Sequence, residues 1–280
     1  MRGKPNVNYE RFHYRLILEF CPHGTLRSLF KDRELHSSRS PSAIPEPALW
    51  AFFETITEAC VFLEYGGIEE DEWVQGWEEI VHRDLKDENI FLAPPDEAYY
   101  PSYPAATIGD FGLTIVLPED DPCNAMAYNN GPGTQYWKAP EQILLADKKT
   151  MIPAEVKKLS AKTNIWGIGA IMARLMMRDV KPSQPTYAKG EENFAVLKSA
   201  SIDLYELVKQ CVDWNPDVRP SPQELRESIR RVTGAEEDSK MDLSKGLRRE
   251  RADPTKADPY KADQWLRFKN DAYKVAMASE

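Results

Sequence analysis

Val81-His82-Arg83-Asp84-Leu85-Lys86-Asp87-Glu88-Asn89-Ile90-Phe91-Leu92 is the stretch from which the fold is read. Its middle is a dense run of charged and amide side chains, and its ends are apolar and rich in β-branched or aromatic residues. The pattern predicts a polar loop clamped between two short buried strands. Such a loop holds a carboxylate, an ammonium and a side-chain amide at fixed separations. Those are the groups that phosphoryl transfer around a bound magnesium ion requires. Taken alone, the same residues also fit an ordinary solvated turn.

The residues downstream decide between the two. Ile108-Gly109-Asp110-Phe111-Gly112 comes first, then Gly133-Thr134-Gln135-Tyr136-Trp137-Lys138-Ala139-Pro140-Glu141. Asn164-Ile165-Trp166-Gly167-Ile168-Gly169 and Asn215-Pro216-Asp217-Val218-Arg219-Pro220 follow. In this order the motifs resemble the catalytic loop, the metal-binding DFG, the APE-type end of the activation segment and the later helices of the eukaryotic protein kinase family, serine/threonine type. The resemblance runs from about residue 14 to about residue 232. It implies an α+β, protein kinase-like fold, mainly the helical C-lobe, with a hinge strand and short β-hairpins at the catalytic loop.

Composition sets outer bounds. With 280 residues, 42% of them hydrophobic, the chain can bury a full core of one or two domains. A formal charge of −9 argues against nucleic acid or an anionic membrane as the main partner. Cys21, Cys60, Cys123 and Cys211 have no zinc or redox spacing, which suits free thiols in a reducing compartment. Arg2, Lys4, Glu10, Arg11 and Arg15 interrupt the first twenty residues, so no secretory signal is read there. The most apolar run, Ile165 to Met177, contains Arg174 and is too short to span a bilayer. The expectation is an intracellular protein, cytoplasmic or nuclear.

Before the loop, Tyr14 to Phe20 reads as a strand ended by Cys21-Pro22-His23-Gly24, with Thr25 capping a helix that carries Leu26, Leu29 and Phe30. The resemblance makes this the hinge: Leu18 stands at the gatekeeper position, and the backbone of Glu19 and Cys21 would bond the adenine edge of ATP. Residues 31–45 read as a polar loop. Leu49, Phe52, Phe53, Ile56, Cys60 and Leu63 predict an amphipathic helix over 47–65, ended by Gly66-Gly67. The acidic 67–79 stretch, with Trp73 and Trp77, is longer than the family usually has here. It is expected to be a surface loop whose tryptophans pack back, with a docking surface as the alternative. Helices are expected with Trp166, Ile168, Ile171, Met172, Leu175 and Met176 (capped by Ser160), near 202–213 and over 221–232.

The resemblance also carries roles, residue by residue. Asp84 is the base-like carboxylate for a substrate hydroxyl, Lys86 balances charge on the γ-phosphate, and Thr134 bonds both. Asn89 and Asp110 supply oxygens to Mg2+, an ion suited to hard ligands. His82 and Phe111 pack in the internal spine, Gly112 completes the metal-binding motif, and Arg83 receives a loop phosphate. For that last role the triplet Glu119-Asp120-Asp121 is a candidate stand-in, with a solvated acidic turn as the alternative. Glu141 and Arg219 form a buried ion pair. His13, His23 and His36 receive no role. Asp84 and Asp110 are 26 positions apart, and the excess lies in the loop from Ala93 to Pro104, where insertion is cheap. Asn164 replaces the family's aspartate, which holds the backbone of the catalytic loop. It keeps hydrogen bonding but loses charge-assisted strength.

Domain bounds follow: residues 1–234 as hinge and C-lobe, and 235–280 as a polar, mostly flexible tail. Ten basic residues balance ten acidic ones in that tail, where Ala252-Asp253-Pro254 is echoed by Ala257-Asp258-Pro259. Trp265, Phe268 and Tyr273 are candidate anchors. No glycine-rich loop and no strand lysine is read ahead of the hinge, so the N-terminal lobe is expected to be largely absent. Without those groups the chain is expected to bind ATP weakly and to transfer phosphate slowly or not at all to Ser/Thr hydroxyls of a protein substrate. A pseudokinase-like binding or scaffold module and a fragment of a longer kinase are the alternatives. A partner is expected over the exposed surface that would face the N-lobe.

Overall fold

The structure is a computed structural model that describes residues 17–28, 44, 46–95, 100, 103–117, 132–143, 159–177 and 201–234. The tail and its aromatic anchors, the Glu119–Asp121 triplet, most of the 31–45 loop, Tyr14 to Leu16, Leu29 and Phe30 lie outside them.

Helix α1 (Glu46–Tyr65) forms where the apolar spacing predicts it. Burial of Leu49, Phe52, Phe53, Ile56, Cys60 and Leu63 puts its apolar side against the other core elements. Gly66 ends it in the left-handed conformation (φ 75°), its N–H donating to the Phe62 carbonyl at 2.8 Å. A Cβ at Gly66 would also sit 2.6 Å from the Trp77 ring, so two constraints require glycine here. In the acidic segment that follows, Trp73 stacks on Tyr65 at 4.0 Å between centroids, and Trp77 meets Phe62 edge-on. Trp77 Nε1 donates to the Leu63 carbonyl. Arg226 and Arg230 of the last helix tie Glu69 and Glu58 together from the other side. The tryptophans do pack back on the body of the molecule.

Four short strands come next: β1 (Glu79–Val81), β2 (Ile90–Ala93), β3 (Ala105–Ile108) and β4 (Ile115–Leu117). They form two separate antiparallel pairs, β1 with β4 and β2 with β3. Val81 stands opposite Ile115, and Ile90 opposite Ile108. Each of the loops 82–89 and 109–114 therefore leaves one pair and enters the other at the same end. This register, across 34 positions of sequence, is what turns the two loops toward each other. Only β2–β3 has the form of a hairpin; β1–β4 closes over a long intervening segment, a departure from the expected hairpins.

Helices α2 (Pro140–Ile143), α3 (Ala161–Met177), α4 (Ile202–Cys211) and α5 (Pro222–Thr233) follow, and single 3-10 turns stand at Glu70–Glu72 and Phe111–Leu113. At the start of α3 the Ser160 hydroxyl accepts from Lys162 N–H while Thr163 Oγ1 accepts from Ser160 N–H, the reciprocal cap expected of that serine. Ser201 Oγ accepts from Leu204 N–H at the start of α4, and Ser221 and Glu224 form a reciprocal cap at the start of α5. Residues Ala161 to Met176 of α3 are buried apart from Lys162, so this helix is the centre of the core, with α1, α4, α5 and the strands around it. No helix among the described residues is long and apolar enough to cross a membrane.

The expected hinge strand is not formed in its described part. Residues 17–20 join no ladder, and Ile17, Leu18 and Phe20 are 90%, 75% and 63% exposed. An apolar run becomes a strand when a neighbour takes its backbone bonds and one face is covered. Here the apolar side chains of Ile17, Leu18 and Phe20 are not covered. The chain is bonded into the fold further on: His23 N–H donates to Leu92 O, Leu92 N–H to Gly24 O, and Thr25 bridges Phe91.

Beneath the loops, Glu79 of β1 accepts from Ala161 N–H at the start of α3. Burial, with Glu64 close by, pushes its carboxyl from near 4.5 up to about 7, and burial raises Glu64 to about 7 as well. A carboxyl raised in the fold makes its full contribution below its unfolded pKa and loses it as pH climbs through the folded value. Glu79→Gln keeps the acceptor and removes the charge. Its melting temperature should match the wild type near pH 4.5 and exceed it increasingly up to pH 8. A gap that does not change with pH would contradict this assignment.

Candidate active site

The carboxylate of Asp84 is buried and held from three directions. Its Oδ1 accepts from both the N–H and the hydroxyl of Thr134, each at 2.7 Å. Its Oδ2 pairs with Lys86 Nζ at 3.0 Å and accepts from Asn89 Nδ2 at 3.2 Å. Lys86 Nζ also donates to Thr134 Oγ1 at 2.8 Å, which closes a ring of Asp84, Lys86 and Thr134. Burial pushes the Asp84 carboxyl up, but the bonds from Thr134 and Lys86 outweigh it and hold it below its ordinary range. Asp84 is thus a carboxylate at neutral pH. The amide nitrogen of Asn89 is committed to Asp84, to its carbonyl at 2.9 Å and to its carboxylate. Its amide oxygen is the end left over among the described residues.

His82 links this loop to the next. The ring is fully buried; Nδ1 accepts from Asp84 N–H at 3.3 Å, which makes Nε2 the protonated nitrogen that donates to Gly109 O at 3.0 Å. Burial keeps this histidine below its ordinary pKa, so it stays neutral. Phe111 packs edge-on to it, 5.1 Å between centroids, with its far side exposed. Gly109 N–H donates to Asn89 O at 2.9 Å. Asp110 therefore follows directly on a residue pinned to both His82 and Asn89. It is exposed, sits in the left-handed region (φ 61°), and takes a bond from Gly112 N–H. Arg83 also has positive φ (66°), a strained state for a non-glycine residue that tends to gather at functional sites. Its Nε donates to Leu113 O, and Gln142 Nε2 donates to its carbonyl at 3.0 Å.

Asn164 of α3 holds the entry to the loop with both ends of its amide. Oδ1 accepts from His82 N–H at 3.0 Å and Nδ2 donates to Ile80 O at 2.9 Å. The partners fix which end is which, since one is a donor and the other an acceptor. An aspartate could satisfy only the first. Asn164→Asp would set a carboxylate oxygen against the Ile80 carbonyl, so it should cost about 1–3 kcal/mol in urea unfolding. An unchanged midpoint would refute this. Three residues along, α3 presents Gly167, where a Cβ would stand 2.5 Å from Leu85 Cβ. Glycine there lets the loop sit directly on the helix.

Glu141 and Arg219 meet as a bidentate pair at 2.7 and 2.9 Å, each 1% exposed. Arg219 also donates to the carbonyls of Asp213 and Lys162, and lies over the Trp166 ring. This fixes the segment carrying Thr134 to the helical core. At the hinge, Cys21 is half-buried beside Thr107 of β3, its thiol raised by burial and by Glu19, while Leu18 projects into solvent. Gln142, Gly167 and the trio Arg27, Asp87 and Arg174 were given no function in the sequence reading. The side-chain amide of Gln142, one position after Glu141, was the available signal.

Two loops pinned to each other around a buried carboxylate, an ammonium and an amide are the geometry that the sequence resemblance describes. The protein kinase domain family model matches residues 6–229. The chain belongs to the protein kinase family. This kinase-family chain is 26% identical over 253 residues to the G2-specific protein kinase nim-1 of Neurospora crassa, covering 79% of this chain and 26% of that protein. It is 26% identical over 250 residues to the G2-specific protein kinase nimA of Emericella nidulans (79% and 32%). It is 27% identical over 211 residues to the serine/threonine-protein kinase plk-2 of Caenorhabditis elegans (74% and 26%). The chain spans about a quarter to a third of the length of these curated relatives.

Proposed function

We propose that this chain carries the phosphoryl-transfer centre of a protein serine/threonine kinase, using ATP and Mg2+ to modify Ser/Thr hydroxyls of a protein substrate. The observation that carries the reading is the closed ring of Asp84, Lys86 and Thr134 with Asn89 bonded into it. Asp84, ionised and oriented, accepts or aligns the substrate hydroxyl proton. Lys86 stands beside it as the fixed positive charge for the γ-phosphate. Thr134 keeps both aligned and brings the substrate-side segment to them.

The residues present fit a magnesium ion. Asp110 offers an exposed carboxylate and Asn89 an amide oxygen, both hard donors. Among the described residues no three His, Cys, Asp or Glu side chains gather into a metal cage. That suits an ion bound through one or two protein oxygens and the phosphates of its nucleotide. When bound, the ion neutralises charge on those phosphates. The adenine edge would lie against the backbone of Glu19 and Cys21, with Leu18 beside it.

Titration with Mg-ATP followed by thermal shift is the first test. The wild type should rise in melting temperature, and Asp110→Asn should lose most of that rise. Labelled phosphate should then appear on serine or threonine of a generic acceptor protein. No shift and no transfer would end the reading.

A further inference from the structure

Between Lys86 and Asn89 the chain reverses in a turn closed by Asn89 N–H on Lys86 O at 3.0 Å. Its two ends are the residues just assigned to the γ-phosphate and the metal. Asp87 occupies the first corner, a position that favours proline because the ring fixes φ. Aspartate has no such ring, yet this residue is only 2% exposed and is held from outside the loop. Arg27 N–H donates to its carbonyl at 3.0 Å. Its Oδ2 stands 3.7 Å from Arg27 Nη1 and 3.3 Å from Arg174 Nη1.

The two arginines come from different places. Arg27 belongs to the turn of helix after the hinge, and Arg174 rises from α3. The Arg174 guanidinium also lies 5.4 Å from the ring centroid of Trp137, three residues past Thr134. Asp87 is thus the point where the post-hinge segment and the central helix meet the turn, and Arg174 carries the link on to the segment of Thr134. Lys86 and Glu88 are the other charges beside it, Glu88 lying within 4.0 Å of Arg27.

We infer that Asp87 is a positioning residue for phosphoryl transfer: its ion pairs with Arg27 and Arg174 hold the Lys86–Asn89 turn in register with the rest of the site. The inference rests on the kinase reading above. Two ion pairs give this corner the restraint that a proline ring would give covalently, so the turn becomes sensitive to the segments that carry them.

The test needs one readout that is independent of turnover. Amide exchange at Asn89 measures the turn directly, with Ile229 in α5 as the control for folding. Asp87→Asn should speed exchange at Asn89 at least tenfold and leave Ile229 unchanged. It should lower kcat by about tenfold to a hundredfold, the effect of a small misplacement, with a smaller change in KM for ATP. Arg174→Met should do the same, and the double variant should be no worse than either single one. Asp87→Pro should restore both the slow exchange and most of kcat, because the ring supplies the restraint. Asp87→Asn with unchanged Asn89 exchange overturns the inference. A wild type that transfers no phosphate, or one matched by Asp84→Asn, sinks the kinase reading instead, and exchange still decides the role of Asp87.

Discussion

Asp84→Asn should lower phosphoryl transfer by about 10²- to 10⁴-fold, the usual contribution of a positioned acid–base group. The argument is local. Oδ2 of Asp84 faces two donors, Lys86 Nζ and Asn89 Nδ2. An amide presents either one oxygen to Thr134 or one to Lys86, never both. Whichever way it turns, an N–H meets another donor and the substrate hydroxyl loses its anionic acceptor. The site is small and peripheral to the main core, so the melting temperature should move by only about 2–4 °C, equivalent to ~1 kcal/mol in a domain of this size. Nucleotide affinity, set by other groups, should stay within a few-fold. A variant that keeps a tenth or more of wild-type kcat would remove Asp84 from the chemistry.

The second large effect concerns stability. Glu141→Ala or Arg219→Met should each lower unfolding free energy by about 3–5 kcal/mol, because each strands a buried charge. Domains are marginal, so this is a large share of the total. Of the two, Arg219→Met should be worse, since Arg219 also satisfies the carbonyls of Asp213 and Lys162. Arg219→Lys should rescue little: one ammonium cannot reproduce a two-armed pair plus those carbonyl bonds. Urea denaturation read by tryptophan emission measures this well, as Trp166 packs against the Arg219 guanidinium and against Trp214. A loss below ~1 kcal/mol would mean that water or a rearranged partner reaches the remaining charge.

Much of the architecture was legible before any coordinates. The apolar spacing from Leu49 to Leu63 appears as α1, Ser160 marks the start of α3, and the helices expected near 202–213 and over 221–232 appear as α4 and α5. The polar loop does lie between two short strands. In its described part the hinge strand misled because an apolar run signals a strand only when something covers it, and pattern alone does not report the cover. Asp87 misled in the opposite sense. It stood in the opening stretch as one more charge, yet its partners are Arg27 and Arg174. Asn164 showed as a departure from the family pattern. Its second bond, to Ile80, depends on where β1 passes and has no local signature.

Sequence alone determined the four longer helical segments, the Ser160 cap, the polar loop and the side chains proposed for phosphoryl chemistry. Each of those depends on residues a few positions apart, where periodicity and turn preference act directly. Tertiary structure decided which of those side chains meet. The β1–β4 and β2–β3 registers turn two loops face to face, Gly167 lets one of them rest on α3, and Thr134 arrives from 50 positions away to complete the ring around Asp84. Bonds of that kind form only after packing has chosen the neighbours, because a buried donor or acceptor takes whichever partner the core brings within reach.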